Sequence, residues 1–408
     1  MSNSSTDTGL RKGRLGVVGI VFFVVAAAAP LLGMTGAVPV AMLLGNQAGT
    51  PGTYLAVGLI LLVFSVGYAA MSQKVTNTGA FFAYVGKGLG KHAGVASAFA
   101  SLVGYITIQL AIYGFIGGVL SGQMEASAGI ALPWYVWAVI VWVAVTALSL
   151  LSVDVGAKVL GVLMIAELLT LVITSTAVFL NHGSSMNFGN SFGFDAVFAG
   201  GFGGGAGIAI AFAFASFIGF ESTAIYGEEA KDPKKAVRRA TYWAVGIIAG
   251  LFAIVSFAMM TGMGSSDAIN QILERSDGLA NPAGVLFSLA EQYVGPWMST
   301  LMQVLIITSL FAGLLAFQNA GARYFFAMGR SGVLGKSFGQ TNASGAPQSG
   351  VILTSVLAAA VIVIFAVTGL DPILNLFFWF SAVTSIAIFF VEILVSLAVV
   401  KFFRTEGG

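Results

Sequence analysis

Three acidic residues lie inside long apolar stretches of this sequence, where a charged side chain is unusual. Glu167, Glu221 and Glu392 each lie in a run of residues long enough to cross a membrane. Placing a charge there costs at least about 2.5–3.5 kcal/mol on insertion scales, so each residue is a functional candidate. A buried carboxyl can be neutralised by a proton and can ionise when water reaches it, which is the chemistry of proton-coupled transport.

Glu221 and Glu167 are the two acids that we interpret as coupling residues. For Glu221 the alternative is a cap on freed backbone groups, and for Glu167 it is a hydrogen bond to a polar group of another helix. Glu392 lies closer to the end of its apolar run, where its side chain can reach interfacial water. We therefore interpret Glu392 as a structural residue.

Uncharged polar side chains inside the apolar runs form the second set of candidates. Tyr105, Gln109 and Tyr113 are four residues apart, so they share one helical face. Gln318 and Asn319 are neighbours in a later run. Hydrogen bonds between membrane helices account for most residues of this kind. We nevertheless keep Tyr105, Gln109 and Gln318 as candidate substrate contacts and Asn319 as a candidate coupling residue.

Enzymatic, metal and nucleic-acid chemistry have no support in the residues. The sequence has no nucleophile–base pair and no zinc-protease or nucleotide-binding motif, and His92 and His182 are too far apart for a metal site. The lack of cysteine excludes a disulfide framework and a thiolate metal site. A net charge of +2 is too small to indicate nucleic acid. We predict no enzyme activity, no cofactor, no metal and no nucleic-acid partner.

The composition indicates that the chain is solvated by a lipid bilayer. Of its 408 residues 58% are hydrophobic and only 8% are charged, with a mean hydropathy of +0.95, whereas a soluble protein needs a charged surface. A membrane-spanning helix takes roughly 20 apolar residues. By that measure we predict ten spans, numbered 1 to 10 in chain order: 16–44, 53–72, 94–121, 134–152, 157–180, 203–226, 240–263, 297–327, 350–369 and 373–400.

The basic residues predict how these spans are oriented. With ten spans, 17 of the 18 Lys and Arg residues fall on one side of the membrane, and Arg275 alone falls on the other. Basic loops remain on the cytoplasmic side. We therefore predict a multi-pass protein of the cell membrane with both termini in the cytoplasm.

Two of the spans contain helix-breaking residues. Span 1 has Pro30 and Gly33 within "AAAAPLLGMTG" (26–36), and span 6 has Gly219 within "ASFIGFES" (215–222). Interrupted helices at corresponding places in two halves are typical of inverted repeats in secondary transporters, with the binding site between them. Half-helix N-termini suit a carboxylate and freed carbonyls suit an ammonium, so the pattern fits a zwitterionic amino acid.

The chain therefore divides into two predicted halves of five helices each. The predicted segments are a disordered cytoplasmic N-terminus (1–10), spans 1–5 (11–180), an outer connection (181–202), spans 6–10 (203–400) and a cytoplasmic tail (401–408). The connection 264–296 could form a short surface helix, but we expect a solvated loop. The connection 77–94 is amphipathic and could lie along the membrane surface.

The stretch "FASFIGFESTAIYGEEAKDPKKAVRRA" (214–240) resembles the span 6 signature of the amino acid–polyamine–organocation superfamily of permeases. In that family a break with glycine, an aromatic residue and an acid precedes "E-E-x-K/R-N-P" and a basic run. The segment "NAGARYFFAMGRSGVLGKSFGQTNASGAPQSG" (319–350) is similar to the family's end of span 8, and "NTGAFFAYVGKGLGKHAG" (77–94) resembles its inner loop after span 2. With ten matching spans, the resemblance covers nearly the whole chain.

The resemblance implies an all-α leucine-transporter-type fold, in which two five-helix repeats are inverted and amino acids or related amines cross by alternating access. The family holds its substrate with the backbone of the two breaks and gates it with aromatic residues. Here the implied substrate-binding residues are Ala28, Ala29, Pro30, Leu31, Leu32 and Gly33, with Ala215, Ser216, Phe217, Ile218 and Gly219; the implied gating residues are Phe214 and Phe220.

Several features depart from the family's pattern. The Gly-Ser-Gly of span 1 is replaced by an Ala/Pro/Gly run, and the gating aromatic that starts the span 6 break aligns with Ala215. Spacing from Lys158 puts Glu167 near a span 5 lysine that stands in for a sodium ion in many relatives. An acid at that position could bind Na⁺ or exchange a proton. Many relatives also have twelve spans, whereas ten are predicted here.

The predicted function is secondary transport of an amino acid or related amine across the lipid bilayer, coupled to protons. The alternatives are a sodium-coupled or exchange-type amine carrier on the same fold and, from other classes, a channel or a transport-inactive sensor. Two interrupted helices at the midplane favour alternating access over a continuous pore. Backbone recognition leaves the side chain of the substrate open, and the oligomeric state is open as well.

Overall fold

The computed structural model describes residues 16–75, 80–151, 157–183, 186–225, 230–264 and 267–405. Throughout these ranges the regular structure is helical, and they contain no β-strand. The all-helical class predicted from the sequence is therefore confirmed for the described residues. The predicted N-terminal segment 1–10 lies outside them.

The helices of the described residues follow one another with short connections. In chain order they are α1 (Val17–Ala28), α2 (Pro30–Leu32), α3 (Val38–Leu44), α4 (Thr50–Lys74), α5 (Ala80–Leu89), α6 (Lys91–Ala128), α7 (Trp134–Leu150), α8 (Ala157–His182), α9 (Phe188–Phe192), α10 (Phe194–Val197), α11 (Gly205–Phe217), α12 (Ser222–Ile225), α13 (Pro233–Met263), α14 (Ala268–Arg275), α15 (Ala283–Tyr293), α16 (Pro296–Arg330), α17 (Gln348–Thr368) and α18 (Phe378–Thr405). Two π-helical turns, Gly33–Ala37 and Pro372–Phe377, join α2 to α3 and lead into α18.

Eight helical stretches of the described residues are long and apolar enough to cross a membrane. They are Val17–Leu44, Gln47–Lys74, Lys91–Ala128, Gly161–His182, Lys235–Met263, Pro296–Arg330, Gln348–Thr368 and Pro372–Thr405. These stretches coincide with predicted spans 1, 2, 3, 5, 7, 8, 9 and 10. Predicted spans 4 and 6 correspond to α7 and α11, which are apolar helices of 17 and 13 residues.

The predicted interruption of span 1 is present at Ala29. α1 ends at Ala28, and Ala29 has a left-handed backbone with a φ of 41° and a ψ of 71°, which is strained for a residue with a side chain. Pro30 then begins α2, where its missing N–H is not needed. Because the first N–H groups of a helix have no intrahelical partner, the break leaves the Leu31 N–H available.

The predicted interruption of span 6 is present between α11 and α12. α11 ends at Phe217 and α12 begins at Ser222, with Gly219 at a φ of 114° between them. Glycine adopts this conformation without steric penalty. A Cβ atom built on Gly219 would lie 2.9 Å from the Ala27 Cβ atom. The two confirmed breaks are therefore in close contact with each other.

Two connections differ from the sequence expectations. Segment 264–296 contains α14 and α15, and α15 buries Val285 and Leu289 against the bundle. The expected solvated loop is wrong because an apolar face repeats along α15 and needs a partner. The amphipathic connection 77–94 contains α5, which packs Tyr84 into the interior and contacts α6 and α18. α5 is therefore packed into the helix bundle, in addition to having an exposed side.

The helices around the two breaks position the candidate residues. α1 contacts α8, α13 and α16, whereas α11 contacts α3, α4 and α18. α6 packs along both α16 and α18, and α4 packs along α13. The broken segments are therefore enclosed by long continuous helices, which fix the positions of the side chains that face the breaks.

Candidate functional site

A cavity of about 40 Å³ lies where the two helix breaks meet. One side of it comes from the breaks, and the other side comes from α6, α16 and the start of α18. Its described lining residues are Ala27, Ala28, Leu32, Gly33, Ala37, Ile108, Ile112, Phe212, Ala215, Ser216, Ile218, Phe317, Phe377 and Ser381. This volume is below the range for small-molecule sites, about 300–1,000 Å³, so a small-molecule ligand requires the cavity walls to move apart.

The backbone beside this cavity has polar groups that a continuous helix would have paired. At the end of α1 the Ala29 N–H donates to the Ala26 carbonyl (3.1 Å), and at the end of α11 the Ile218 N–H donates to the Ala215 carbonyl (3.2 Å). These tight turns end each half-helix, whose last carbonyls then have no intrahelical donor. The cavity thus combines backbone acceptors from both half-helices with the N-terminus of α2.

Glu167 of α8 binds the break in span 1 directly. Its Oε1 atom accepts a hydrogen bond from the Leu31 N–H (2.6 Å) and another from Ser309 Oγ of α16 (3.0 Å). The side chain is buried, and a second, smaller cavity beside it is also lined by Ala26 and Thr308. One carboxyl oxygen therefore joins α8, the first turn of α2 and α16. The bond from Ser309 is the hydrogen bond to another helix that the alternative interpretation predicted. The bond from Leu31 joins the same carboxyl to the backbone of the break.

Glu221 stabilises the break in span 6. Its Oε2 atom accepts a hydrogen bond from the Gly219 N–H (2.9 Å), and its Oε1 atom accepts one from the Tyr105 hydroxyl of α6 (2.8 Å). The Tyr68 hydroxyl of α4 donates to the Glu221 backbone carbonyl (2.6 Å). The residue is fully buried, with 0% of its surface exposed. Glu221 therefore caps freed backbone at a position shielded from water.

These acids have no basic partner in the described part of the chain. Neither Glu167 nor Glu221 forms an ion pair with a described Lys, Arg or His. An ionised carboxylate is unfavourable in such surroundings, so the group either takes up a proton and becomes neutral or binds a cation. Glu392 of α18 is also buried, rather than exposed to interfacial water. The interior thus contains three acids, two of which bind the helix breaks.

Six of the predicted substrate-binding residues line the cavity: Ala28, Leu32, Gly33, Ala215, Ser216 and Ile218. Five others are buried at the breaks without being part of the lining: Ala29, Pro30, Leu31, Phe217 and Gly219. These five determine the course of the backbone, through the left-handed turn at Ala29 and the positive φ of Gly219. The breaks therefore supply both the lining and the shape of the cavity.

The three polar side chains predicted to contact substrate bind other protein groups instead. Tyr105 donates to a buried carboxyl, as described above, and the Gln109 side-chain amide donates to Gln318 Oε1. Gln318 Nε2 donates to the Val351 carbonyl (3.1 Å) and to Ser355 Oγ (2.9 Å). None of the three predicted contacts lines the cavity. The two glutamines therefore join α6, α16 and α17, and their role in the structure is to bond these helices to one another.

The candidate gating residues and Asn319 also lie outside the cavity lining. The Phe214 ring packs against Phe389 with centroids 4.3 Å apart. Phe220 is buried, and its ring centroid lies 5.9 Å from that of Phe64. Asn319 is partly buried on α16. The aromatic residues that do line the cavity belong to other positions of α11 and α16 and to the π-helical turn before α18.

Sequence reasoning missed the wall that faces the breaks. That wall consists of Ile108, Ile112, Phe317 and Phe377. The rest of the missed lining is Ser381 of α18, Phe212 of α11, and Ala27 and Ala37 beside the first break. The chain has 33 phenylalanines, so an aromatic residue in a span is no signal by itself. Span 10 has three serines, Ser381, Ser385 and Ser396. Only the structure shows that the hydroxyl of Ser381 is buried with no hydrogen-bond partner among the described residues.

Comparison with known proteins identifies the family. The family model described as "Amino acid permease" matches residues 19–408. The chain belongs to the amino acid permease family. Together with the eight apolar spans, this makes it a multi-pass membrane protein of amino acid transport, in a family of transporters rather than enzymes.

Two relatives of this permease carry names of amino acid transporters. The branched-chain amino acid permease BcaP of Lactococcus lactis subsp. cremoris is 26% identical over 369 residues, which cover 84% of this chain and 72% of the relative. The L-lysine transport protein of Corynebacterium glutamicum is 25% identical over 338 residues, which cover 79% of this chain and 63% of the relative. The two relatives are named for substrates with different side chains.

The fold of the permease is similar to that of a solved transporter. A Na⁺-coupled sialic acid symporter, in a substrate-bound outward-open state with a novel Na⁺ site, superposes with a TM-score of 0.56 and 12% identity. The match covers 96% of this chain and 79% of the symporter chain. At this level of identity the likeness shows a shared fold.

Proposed function

We propose that this permease is a secondary transporter that carries amino acids by alternating access. The observation that carries the proposal is the cavity at the meeting point of two broken helices. Unwound backbone at membrane depth is tolerated only where it lines a cavity or is buried in protein, and transporters use it to bind substrate. Family membership and the two named relatives support an amino acid as the substrate.

The main-chain groups of the substrate bind the two breaks. The N-terminus of α2 has partial positive charge and suits the α-carboxylate, whereas the carbonyls that end α1 and α11 suit the α-ammonium. In this proposal the binding residues at the breaks are those that line the cavity: Ala28, Leu32, Gly33, Ala215, Ser216 and Ile218. Since every amino acid has both main-chain groups, this part of the site recognises the class rather than one member.

Glu167 couples this site to protons. Its carboxyl accepts from the Leu31 N–H in the first turn of α2, the turn proposed to bind the substrate carboxylate. An ionised carboxylate is a strong acceptor, whereas a protonated one has less acceptor capacity and can donate. Proton binding at Glu167 therefore changes the backbone environment of the substrate site directly. Glu221 acts in the same way on the second break, through the Gly219 N–H.

We infer the following membrane arrangement from the same features. Ten spans, with α7 and α11 as spans 4 and 6, form two inverted five-helix repeats in the cell membrane. The interruptions at corresponding places in spans 1 and 6 support the repeat. The concentration of Lys and Arg on one side supports cytoplasmic termini.

Sodium is the second candidate for the coupling ion, because of the small cavity beside Glu167. Ala26, Thr308 and Ser309 line that cavity and can present a carbonyl and two hydroxyl oxygens next to the carboxyl. Hard cations prefer oxygen ligands. The sialic acid symporter with the similar fold is Na⁺-coupled. In this alternative Na⁺ takes the place of the proton at Glu167.

Counterflow in proteoliposomes tests the transport proposal. Vesicles that contain the purified chain and an excess of unlabelled amino acids are diluted into labelled amino acid. We expect uptake that saturates with concentration and that depends on amino acid inside the vesicle. Flux that rises without saturation indicates a channel and contradicts the proposal, and binding without any flux indicates a sensor. Replacing Na⁺ by choline then separates the two coupling ions.

A further inference from the structure

The cavity wall that faces the breaks is apolar, and the inference drawn from it rests on the proposed function. Ile108 and Ile112 of α6 and Phe317 of α16 form that wall, with Phe212 and Phe377 beside them. If the main-chain groups of an amino acid bind the breaks, its side chain must extend towards this wall. All five of these residues are apolar, so the wall offers dispersion contacts and no hydrogen bonds.

The described lining contains no charged residue. None of the lining residues is Asp, Glu, Lys, Arg or His. The two acids at the breaks have other partners, because Glu221 binds Tyr105 and Gly219, and Glu167 lies at the separate small cavity. A charged side chain in the main cavity would lose its water without gaining a counter-charge, which is strongly unfavourable.

The polar side chains of the described lining are two serines that differ in their hydrogen bonds. Ser216 Oγ donates to the Phe212 carbonyl (2.9 Å) and lies 3.0 Å from the Tyr54 hydroxyl, so its bonds are made within the protein. Ser381 Oγ is buried and has no partner among the described residues. Buried hydroxyls are normally hydrogen-bonded. Of the six buried side-chain polar atoms without a partner among the described residues, only Ser381 Oγ belongs to the cavity lining, so it is available to bind a polar atom of the ligand.

We propose that the cavity selects amino acids with an uncharged, apolar side chain, which packs against Ile108, Ile112 and Phe317. An apolar side chain has no atom that can bond to a hydroxyl. The Ser381 hydroxyl therefore binds the ammonium or carboxylate group that all amino acids share. Lysine, arginine, aspartate and glutamate are excluded because the wall offers their charge no partner.

Competition between norleucine and lysine isolates the effect of charge, because lysine is norleucine with a terminal ammonium group. The assay is inhibition of labelled leucine counterflow in proteoliposomes that contain the full chain. We expect leucine and norleucine to inhibit and lysine to be weaker by at least about 100-fold, the result of desolvating an unpaired ammonium. Inhibition by lysine within about tenfold of norleucine overturns the proposal.

A matched pair of variants on α6 tests where the side chain lies. Ile112 and Ile116 are one turn apart and both buried, but only Ile112 belongs to the cavity lining. Ile112→Ala enlarges the cavity. We therefore expect the ratio of the variant's affinities for phenylalanine and valine to rise by roughly tenfold or more. Ile116→Ala is expected to keep the wild-type ratio. An unchanged ratio in Ile112→Ala, or an equal shift in both variants, contradicts the assignment.

Ser381→Ala tests the role of the hydroxyl. Since the bonded group is common to all amino acids, affinities for leucine, valine and norleucine should fall by the same factor, roughly tenfold for one hydrogen bond. A loss for one side chain alone, or no loss at all, contradicts this role. Failure of the inference is distinct from failure of transport. If no amino acid is exchanged, the proposed function fails, whereas exchange of lysine without leucine refutes the side-chain selection alone.

Discussion

Glu167→Gln is the most informative single substitution in the chain, because it removes a titratable group and preserves the contacts around it. In the structure one carboxyl oxygen, Oε1, accepts both hydrogen bonds, from the Leu31 N–H at 2.6 Å and from Ser309 Oγ at 3.0 Å. The carbonyl oxygen of glutamine has two lone pairs and can accept both bonds from the same position. Glutamine cannot exchange a proton. The variant therefore separates structural support from coupling.

The expected loss of stability in Glu167→Gln is limited. A hydrogen bond to a charged group contributes about 1.5–3 kcal/mol and a neutral one about 0.5–1.5 kcal/mol. The substitution therefore costs about 2–3 kcal/mol over the two bonds if the carboxyl is ionised, and little if it is protonated. Glu167→Ala removes both bonds, leaves the buried Leu31 N–H without an acceptor, and opens a void as well. We expect the alanine variant to have the lower melting temperature.

Uptake into proteoliposomes under a pH gradient measures the functional consequence. Two pH units supply about 2.7 kcal/mol per proton, enough for about 100-fold accumulation of a substrate that moves with one proton. We expect wild type to accumulate amino acid and Glu167→Gln only to equilibrate it, while counterflow persists in the variant. Glu291→Gln makes the same chemical change at an exposed position of α15 and should keep full accumulation.

Two results refute this reasoning. Accumulation by Glu167→Gln at the wild-type level shows that protons are not coupled through this residue. Loss of counterflow in a folded Glu167→Gln protein shows that the carboxylate is needed for substrate exchange itself.

Three further predictions concern the breaks and the helices that support them. Glu221→Gln keeps one acceptor oxygen, so we expect a folded protein whose uptake has a different dependence on external pH; an unchanged profile indicates a purely structural cap. Gly219→Ala places a Cβ atom 2.9 Å from the Ala27 Cβ at a φ of 114°. We expect it to lose about 1–3 kcal/mol of stability together with transport, and an unchanged melting temperature contradicts the contact between the breaks. Gln318→Leu removes the bonds from α16 to α6 and α17, so it should lose about 1–3 kcal/mol without changing the ratio of affinities among amino acids. A changed ratio would make Gln318 a substrate contact.

The two breaks were predictable because proline and glycine act on their own stretch of backbone. Pro30 starts a new helix after the turn at Ala29, and Gly219 adopts a conformation that other residues avoid. The importance of the buried acids was predictable for a similar reason, since a carboxyl in an apolar run requires a partner. In the structure Glu167 and Glu221 both find that partner in the backbone of a break.

The partners of the polar side chains were not predictable, because they come from distant parts of the chain. Gln109 and Gln318 are separated by 209 residues and pair only because α6 packs along α16. The sequence shows two amides in two spans, which equally fits a substrate site. Only the packing of the helices shows that the two amides form a hydrogen bond with each other.

The apolar wall of the cavity was not predictable, because its residues have the same chemistry as those that face lipid. Ile108 and Ile112 line the cavity, whereas Ile140 and Val143 on the neighbouring α7 are exposed on the outside of the bundle. Composition does not separate the two groups. The direction in which each helix face points is decided by tertiary packing, which is why the side-chain selectivity emerges only from the fold.

Accumulation of amino acid under an imposed pH gradient in the unmodified protein tests the central claim most directly. Proteoliposomes without Na⁺, acidic outside, are given labelled leucine, and the internal concentration is followed before and after a protonophore is added. The proposed mechanism predicts accumulation above the external concentration that collapses with the protonophore. Equilibration without accumulation, or accumulation that requires a sodium gradient, contradicts proton coupling through the carboxyl that holds the first helix break.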